Sequence, residues 1–117
     1  MGKFVMRQVL TGVKFDLHAG NGEIIATSEV YKTEAACRKG MQSLMKNAPV
    51  AKLEDLCEPG SAVANPKFQI FQDKAGQFRF RLCSRNGAVI AASEGYATKE
   101  ACLHGIESVR FNALAEE

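Results

Sequence analysis

The polar residues that occur twice in this 117-residue chain are the first candidates for chemistry. One motif recurs at the same internal spacing: Ser28, Glu29 and Tyr31, then Ser93, Glu94 and Tyr96. Such groups transfer protons only where a pocket shifts their pKa values, and the sequence shows no pocket. Because serine side chains also bond nearby backbone groups, we interpret the motif as structural. A functional site built from it would be expected twice.

Three arginines form a positive strip along and beyond one predicted strand: Arg79, Arg81 and Arg85. Residues i and i+2 of a strand share a face, so Arg79 and Arg81 are expected to point away from the core. Such a strip can bind phosphate or nucleic acid. The net charge of +2 and the lack of aromatic residues on that face favour weak, sequence-indifferent binding. A solvated sheet face is the alternative interpretation.

Cysteine chemistry is the next possibility. Cys83 shares the face of Arg79 and Arg81, which would favour its thiolate, so it is the candidate reactive thiol. Cys37 and Cys102 lie on apolar helical stripes and are predicted to be buried.

No catalytic residue, cofactor site or metal site is predicted. The chain has no Cys-x-x-Cys, and its two histidines are isolated, which argues against a zinc site. Cys102 and His104 are two residues apart on a predicted helix, so they face different sides. Gly20-x-Gly22 lacks the third glycine of a dinucleotide fingerprint. We therefore expect a non-enzymatic protein without a cofactor.

Composition and charge narrow the class of protein further. Hydrophobic residues make up 46% of the chain and charged residues 24%, which is typical of a globular protein. The length of 117 residues corresponds to one domain and excludes a large multidomain enzyme. The first residues lack a signal-peptide pattern, and no apolar run approaches the roughly 18 residues of a membrane helix. We expect a cytoplasmic protein with reduced cysteines and no membrane partner.

The two halves of the chain repeat at a spacing of about 65 residues. We assign residues 3–56 to repeat one, 57–66 to a linker and 67–117 to repeat two, all within a single domain spanning residues 1–117. The charge follows the duplication. Residues 3–48 and 67–113 each have a net charge of +3, and the segments that follow them, 49–66 and 114–117, each have a net charge of −2.

The residue pattern of each repeat predicts three strands followed by a helix. Phe78, Phe80 and Leu82 alternate with polar residues, which is the pattern of a half-buried strand. Asn86-Gly87 follows, and this dipeptide strongly favours a hairpin turn.

Helices are predicted near 33–47 and 98–112, where the apolar period changes to that of a helix. The predicted end residues are Thr33 and Thr98 as N-caps, and Asn47 and Asn112 as left-handed C-terminal residues. Gly40 and Gly105 lie in mid-helix, where glycine is unfavourable, so we expect each helix to approach the sheet closely.

The second repeat contains, in order, Phe68-x-Ile70-x5-Gly76, Phe80-x-Leu82, Asn86-Gly87, Ser93-Glu94-x-Tyr96, Gly105 and Asn112-Ala113. This order resembles the YegP-like family of small uncharacterised bacterial proteins, in a tandem-repeat form. The first repeat departs from the pattern in its hairpin at Val13-Lys14, and at Val30 in place of Gly95.

The resemblance implies an α+β fold of two tandem β3-α-β units. They would share one antiparallel sheet with both helices on one side, related by a pseudo-two-fold axis. The last strand of each unit would be exchanged onto the other, supplied by residues 50–56 and 114–117. A short helix over 51–57 is the alternative for the first of these segments.

The most favoured function is a non-enzymatic interaction module that binds a protein partner through its sheet or loop surface. The chain would be a monomer that forms an intramolecular pseudo-dimer. One alternative is a weak anion or nucleic-acid binder that uses Arg79, Arg81 and Arg85. A further alternative is a redox sensor that uses Cys83.

Overall fold

A computed structural model describes residues 2–58, 60 and 62–114. The strands within these residues are β1 (Lys3–Val9), β2 (Gly12–His18), β3 (Ile24–Ser28), β4 (Lys52–Asp55), β5 (Lys67–Gln72), β6 (Phe78–Cys83) and β7 (Val89–Ala92). The helices are α1 (Glu34–Asn47) and α2 (Lys99–Asn112), and a 3₁₀ turn (Ala48–Val50) follows α1. The fold is α+β, with three strands before each helix as predicted. Neither helix is long and apolar enough to cross a membrane.

All seven strands join one sheet in the order β1-β2-β3-β7-β6-β5-β4. Within each repeat the three consecutive strands are antiparallel neighbours. The Asn-Gly turns make the last hairpin of each repeat, since Gly22 and Gly87 have φ values of 89° and 88°. Other residues rarely adopt this conformation, so glycine determines where these hairpins reverse.

The sheet was expected to be antiparallel throughout, and this is wrong at one edge. β4 runs parallel to β5, with Lys52 opposite Lys67 and Asp55 opposite Ile70. The alternative of a short helix over 51–57 is wrong, because backbone bonds to the sheet satisfy this segment. The Leu56 N–H, for example, donates to the Ile70 carbonyl at 2.9 Å. In the other trailing segment Leu114 lies in a turn, and 115–117 fall outside the described residues.

The core lies between the sheet and the two helices. Its largest fully buried side chains include Phe15 and Leu17 of β2, Phe68 and Ile70 of β5, and Phe80 and Leu82 of β6. Both helices cover this one sheet face, and the predicted burial of Cys37 and Cys102 is confirmed, at 0% exposure each. Each helix also crosses to the other repeat, since α1 contacts β7 and α2 contacts β3.

The predicted N-caps are confirmed. The Thr33 Oγ1 accepts a hydrogen bond from the Ala36 N–H, and Thr98 Oγ1 accepts one from Ala101, each at 3.1 Å. These side chains satisfy amide groups that have no partner inside the first turn of a helix.

The predicted left-handed helix ends are wrong. Asn47 has φ −90° and ψ −35°, Asn112 is the last residue of α2, and no described residue other than glycine has a positive φ. Both asparagines instead donate from Nδ2 to a carbonyl one turn earlier, of Ser43 and Ser108, at 2.8 Å. The side-chain bond therefore stabilises the end of each helix without a change of backbone handedness.

The mid-helix glycines allow each helix to pack directly on a tyrosine. A Cβ at Gly105 would overlap the Tyr96 hydroxyl, and would lie 2.8 Å from Tyr96 Cζ and 3.1 Å from Phe80 Cε2. Tyr96 in turn stacks on Phe80, with ring centroids 6.3 Å apart. Gly40 has the same relation to Tyr31 in the first repeat. The close helix-to-sheet approach expected for these glycines is thus explained.

Gly105→Ala is expected to lower the free energy of unfolding by about 1–2 kcal/mol, since overpacking costs about 1–3 kcal/mol and better helix propensity returns at most about 1 kcal/mol. Chemical denaturation measures the change. His104→Ala, at an exposed neighbouring position, is the control and should stay within about 0.5 kcal/mol of the parent. Stabilisation by Gly105→Ala would contradict this account of the tyrosine contact.

Candidate functional site

The duplicated serines connect the end of the third strand to the middle strand of the same repeat. The Ser93 Oγ accepts a hydrogen bond from the Phe80 N–H at 2.9 Å and donates to the Glu94 carbonyl at 2.8 Å. Ser28 makes the equivalent bonds at 2.9 and 2.7 Å. Both serines are buried, so these bonds satisfy their hydroxyls inside the protein.

The duplicated tyrosines are also structural. Tyr31 and Tyr96 pair through their backbones with the start of the middle strand, at Val13 and Phe78. Burial raises the pKa of both phenols, which makes proton release near neutral pH unfavourable. The contacts of the serines and tyrosines therefore assign the motif to holding the strand-to-helix connection, while Glu29 and Glu94 are exposed.

Arg79 and Arg81 lie on the outer face, which is the sheet face opposite the helices. The Arg79 Nε donates to the Asp73 carboxylate at 2.7 Å, and this bond holds the pKa of Asp73 below its usual range. The Arg81 Nε donates to Gln69 Oε1 at 2.6 Å, and its guanidinium lies 4.8 Å from the centroid of the Phe71 ring. Both arginines thus have partners within the protein, and Phe71 is an aromatic residue on the face where the sequence indicated none.

The same network continues to the edge strand β4 through one carboxylate. Glu54 accepts hydrogen bonds from Gln69 at 2.7 Å, from the Val63 N–H at 3.0 Å and from Lys67, whose Nζ lies 2.9 Å away. These bonds, that from Gln69 above all, lower the pKa of Glu54 to about 2. The polar groups of this part of the outer face therefore bond mainly to one another.

Cys83 is not the acidic thiol that its arginine neighbours in the sequence would favour. Its side chain lies on the outer face, but the residue is only 5% exposed. Its Sγ donates to Gln69 Oε1 at 3.7 Å. Burial raises the pKa of Cys83, and this effect exceeds the opposite influence of Arg81 and Lys67. Cys57 is instead the exposed cysteine.

The remaining metal-binding and nucleophilic groups do not form a reactive cluster. Within residues 2–58, 60 and 62–114, His, Cys, Asp and Glu side chains form no group of three or more that could hold a metal ion. Cys102 is buried and His104 is exposed, in keeping with their expected separation. Burial raises the pKa of Cys102 to about 11.

Arg85 lies apart from this network, in the turn between β6 and β7, where it lines a cleft beside α1. We name this the α1–turn cleft; its volume is about 470 Å³, and its lining residues are Lys39, Gln42, Ser43, Lys46, Asn47, Ser84, Arg85 and Asn86. The structure thus brings Arg85 together with two lysines that the sequence analysis missed. The signal in the sequence that could have indicated these lysines is their spacing of seven residues, which places them on one face of the helix.

The α1–turn cleft is positively charged. Among the described residues, its lining contains three cations and no carboxylate; the other side chains are amides and hydroxyls. The side chains of Lys39, Lys46 and Arg85 are exposed, and none has an ion pair or hydrogen bond with a described residue. Of the other two arginines in the predicted strip, Arg79 forms an ion pair with Asp73, and Arg81 bonds to Gln69 and contacts Phe71.

The corresponding positions of the second repeat have a different character. Lys39 and Lys46 correspond to His104 and Phe111, and Arg85 corresponds to Gly20. Although the two repeats share their packing residues, the cationic side chains of the cleft occur in one copy alone.

A family model described as "Domain of unknown function (DUF1508)" matches the chain twice, over residues 12–55 and 73–117. The chain belongs to this family. The two matches correspond to the two repeats.

Similar proteins support the resemblance to the YegP-like family that the sequence motifs indicated. A UPF0339 protein of Bordetella pertussis is 38% identical over 112 residues, covering 96% of this chain and 88% of that protein. A UPF0339 protein of Treponema denticola is 60% identical over 47 residues, which are 40% of this chain and 81% of that protein. The solution structure of yegP from E. coli, a protein of unknown function, matches 98% of this chain and 88% of its own with a TM-score of 0.80 and 29% identity. The YegP-like resemblance is therefore confirmed.

Thiol labelling of the folded protein is expected to modify Cys57 first. Cys57 is exposed, whereas the other three cysteines are buried. Partial desolvation and the Asp55 carboxylate raise the pKa of Cys57, so the labelling rate should still increase at alkaline pH. Cys57→Ser should remove the fast phase and Cys83→Ser should leave it, as followed by peptide mapping. Rapid labelling of Cys83 would restore it as the reactive thiol.

Glu54 is expected to contribute to acid sensitivity. Its pKa is about 2 in the folded protein against an ordinary value of 4.5, so the unfolded chain binds this proton first as the pH falls. Its contribution to stability is complete above pH 4.5 and is lost as the pH approaches 2. Urea unfolding between these pH values should show a weaker pH dependence for Glu54→Gln than for the parent. Glu94→Gln, at an exposed position, should retain the parent slope, and equal slopes for all three proteins would refute the assignment.

Proposed function

We propose that this protein is a non-enzymatic binding module that takes an anionic ligand in the α1–turn cleft. The observation that supports the proposal is the convergence of Lys39, Lys46 and Arg85 on one cleft, where none of them has a partner among residues 2–58, 60 and 62–114. The sequence analysis expected anion binding by Arg79, Arg81 and Arg85. The proposed set of residues keeps only Arg85 from these three.

The position of the cleft explains why three cations are needed. Lys46 and Asn47 lie in the last turn of α1, where backbone carbonyls carry a partial negative charge. An anion at this end of a helix is repelled unless side chains compensate. Since exposed ion pairs are individually weak, we expect affinity to depend on all three cations together and to fall with salt.

Binding is a better explanation of the cleft than catalysis. In the described part of the chain, the lining includes no Cys, His, Asp or Glu that could serve as nucleophile or general base at neutral pH. Amide and hydroxyl groups complete the lining, and these hydrogen-bond to an anion without reacting with it.

The outer face offers less support for the protein partner that the sequence first favoured. Arg79, Arg81 and Glu54 are bonded to neighbouring side chains on that face. A partner that docked there would have to displace these bonds or leave them in place without using them.

We also propose that the two repeats are arranged as an intramolecular pseudo-dimer with a pseudo-two-fold axis. The register between β3 and β7 supports this, because Thr27 pairs with Ala92, its own equivalent in the other repeat. Residues that are equivalent by duplication face each other in this way where a two-fold axis passes between them. The pairing of β4 from repeat one with β5 of repeat two supports an exchange of trailing strands. Sedimentation at the mass of a dimer would argue against this arrangement.

The binding proposal is tested by an NMR titration with pyrophosphate at low salt. We expect shifts at backbone amides of residues 39–47 and 84–87 in the parent protein. Lys39→Ala/Lys46→Ala/Arg85→Ala should weaken binding about tenfold or more, as expected for the loss of several weak ion pairs.

A charge-matched control separates the cleft from net charge. Lys32→Ala/Lys52→Ala/Lys74→Ala removes the same number of cations at exposed positions outside the cleft, and should bind nearly as well as the parent. Equal losses in both triple variants, or shifts located elsewhere, would overturn the proposal.

A further inference from the structure

We infer that the ligand of the α1–turn cleft is a chain of linked phosphates lying along α1, rather than a single compact anion. The inference rests on the proposed function, because it specifies the ligand class of the same cleft. Two sources share this chemistry, the backbone of a single-stranded nucleic acid and inorganic polyphosphate.

The spacing of the cations supports an extended ligand. Lys39 and Lys46 are seven residues apart on α1, a rise of about 10 Å along the helix. For comparison, one strand of a duplex advances about 3.4 Å along the axis per phosphate, so a run of roughly three linked phosphates is of the length needed to reach both lysines. Arg85 lines the cleft from the turn, where it can contact the same run of phosphates.

The exposure of the cations also favours linked phosphates. All three side chains are exposed, so none offers the desolvated surroundings in which a single ion pair becomes strong. Several phosphates in one molecule bind as tethered groups, and each contact releases counterions. A shallow cationic cleft therefore discriminates by the number of linked charges.

The polar lining favours contacts to phosphate oxygens over contacts to bases. Gln42 and Ser43 lie between the two lysines on the same helix face, and Ser84 and Asn86 line the cleft beside Arg85. Such donors position a backbone without reading its sequence. None of the described lining residues has an aromatic side chain on which a base could stack. We therefore expect binding that is indifferent to base identity.

The end of α1 predicts an order among the cations. Lys46 lies in the last turn, closest to the partial negative charge of the helix C-terminus, whereas Lys39 lies two turns earlier. Lys46→Ala should therefore reduce affinity more than Lys39→Ala does.

The experiment compares ligands of increasing length with the full chain. The probes are orthophosphate, pyrophosphate, tripolyphosphate, a longer polyphosphate, and oligothymidylates of two to eight nucleotides, each titrated at two salt concentrations. Affinity at the cleft should rise at least tenfold between orthophosphate and a chain of about three phosphates, and should then level off for each chemistry. For the oligothymidylates, log affinity should fall against log salt with a slope near −2, from about 0.7 per phosphate contacted.

Variants and base composition provide the controls. Lys39→Ala/Lys46→Ala/Arg85→Ala should remove both the length dependence and most of the salt slope, and Lys32→Ala/Lys52→Ala/Lys74→Ala should retain both. Octamers of thymidylate, cytidylate and adenylate should bind within about twofold of one another, as for contacts to the backbone alone. A strong preference for one base would overturn the inference.

The outcomes separate this inference from the proposed function. Equal affinity for orthophosphate and longer chains at the cleft would overturn the linked-phosphate inference and leave anion binding in place. No shift of the cleft amides with any probe would overturn both. Tighter binding of polyphosphate than of an oligothymidylate with equal phosphate number would identify polyphosphate as the source, and the reverse would identify nucleic acid; either result supports the shared chemistry.

Discussion

The rest of the structure depends on the contact between a mid-helix glycine and a tyrosine ring. Gly105 allows α2 to lie directly on Tyr96, which stacks on Phe80 in the middle of the sheet. The same contact in the first repeat sets the height of α1 above its strands. Because close-packed interiors tolerate little change in volume, this spacing determines where the polar face of α1 lies relative to the β6–β7 turn. The shape of the cleft follows from this packing.

Local signals in the sequence predict most of the fold. The Asn-Gly turns, the threonine N-caps and the buried helical cysteines depend on residues close in the chain, and each is found where expected. Asn47 and β4 show where local reasoning fails. An asparagine side chain can either bond an earlier carbonyl or support a left-handed residue, and the sequence does not separate these outcomes. The direction of β4 depends on where the chain goes after α1, which no local pattern encodes.

The candidate site was less predictable because charges find partners far away in the chain. Arg81 bonds to Gln69 and contacts Phe71, both on a neighbouring strand. Cys83 shares that environment and is buried by it, so its arginine neighbours do not make its thiol acidic. The three cations of the cleft become visible as a group only when α1 and a turn about 40 residues away are brought together by the fold. Alternation along a strand predicts which way a side chain points, but not what it meets there.

The origin of the two walls of the cleft has a consequence for how such a protein can diversify. One wall is α1 of repeat one, and the other is a turn of repeat two. A chain with one repeat could form this cleft only by pairing with a second copy, and the symmetry of that pair would make two identical clefts. Covalent duplication releases this restraint. One cleft can then gain cations while its counterpart, with His104 and Phe111, acquires a different surface, and both keep the packing that holds the fold.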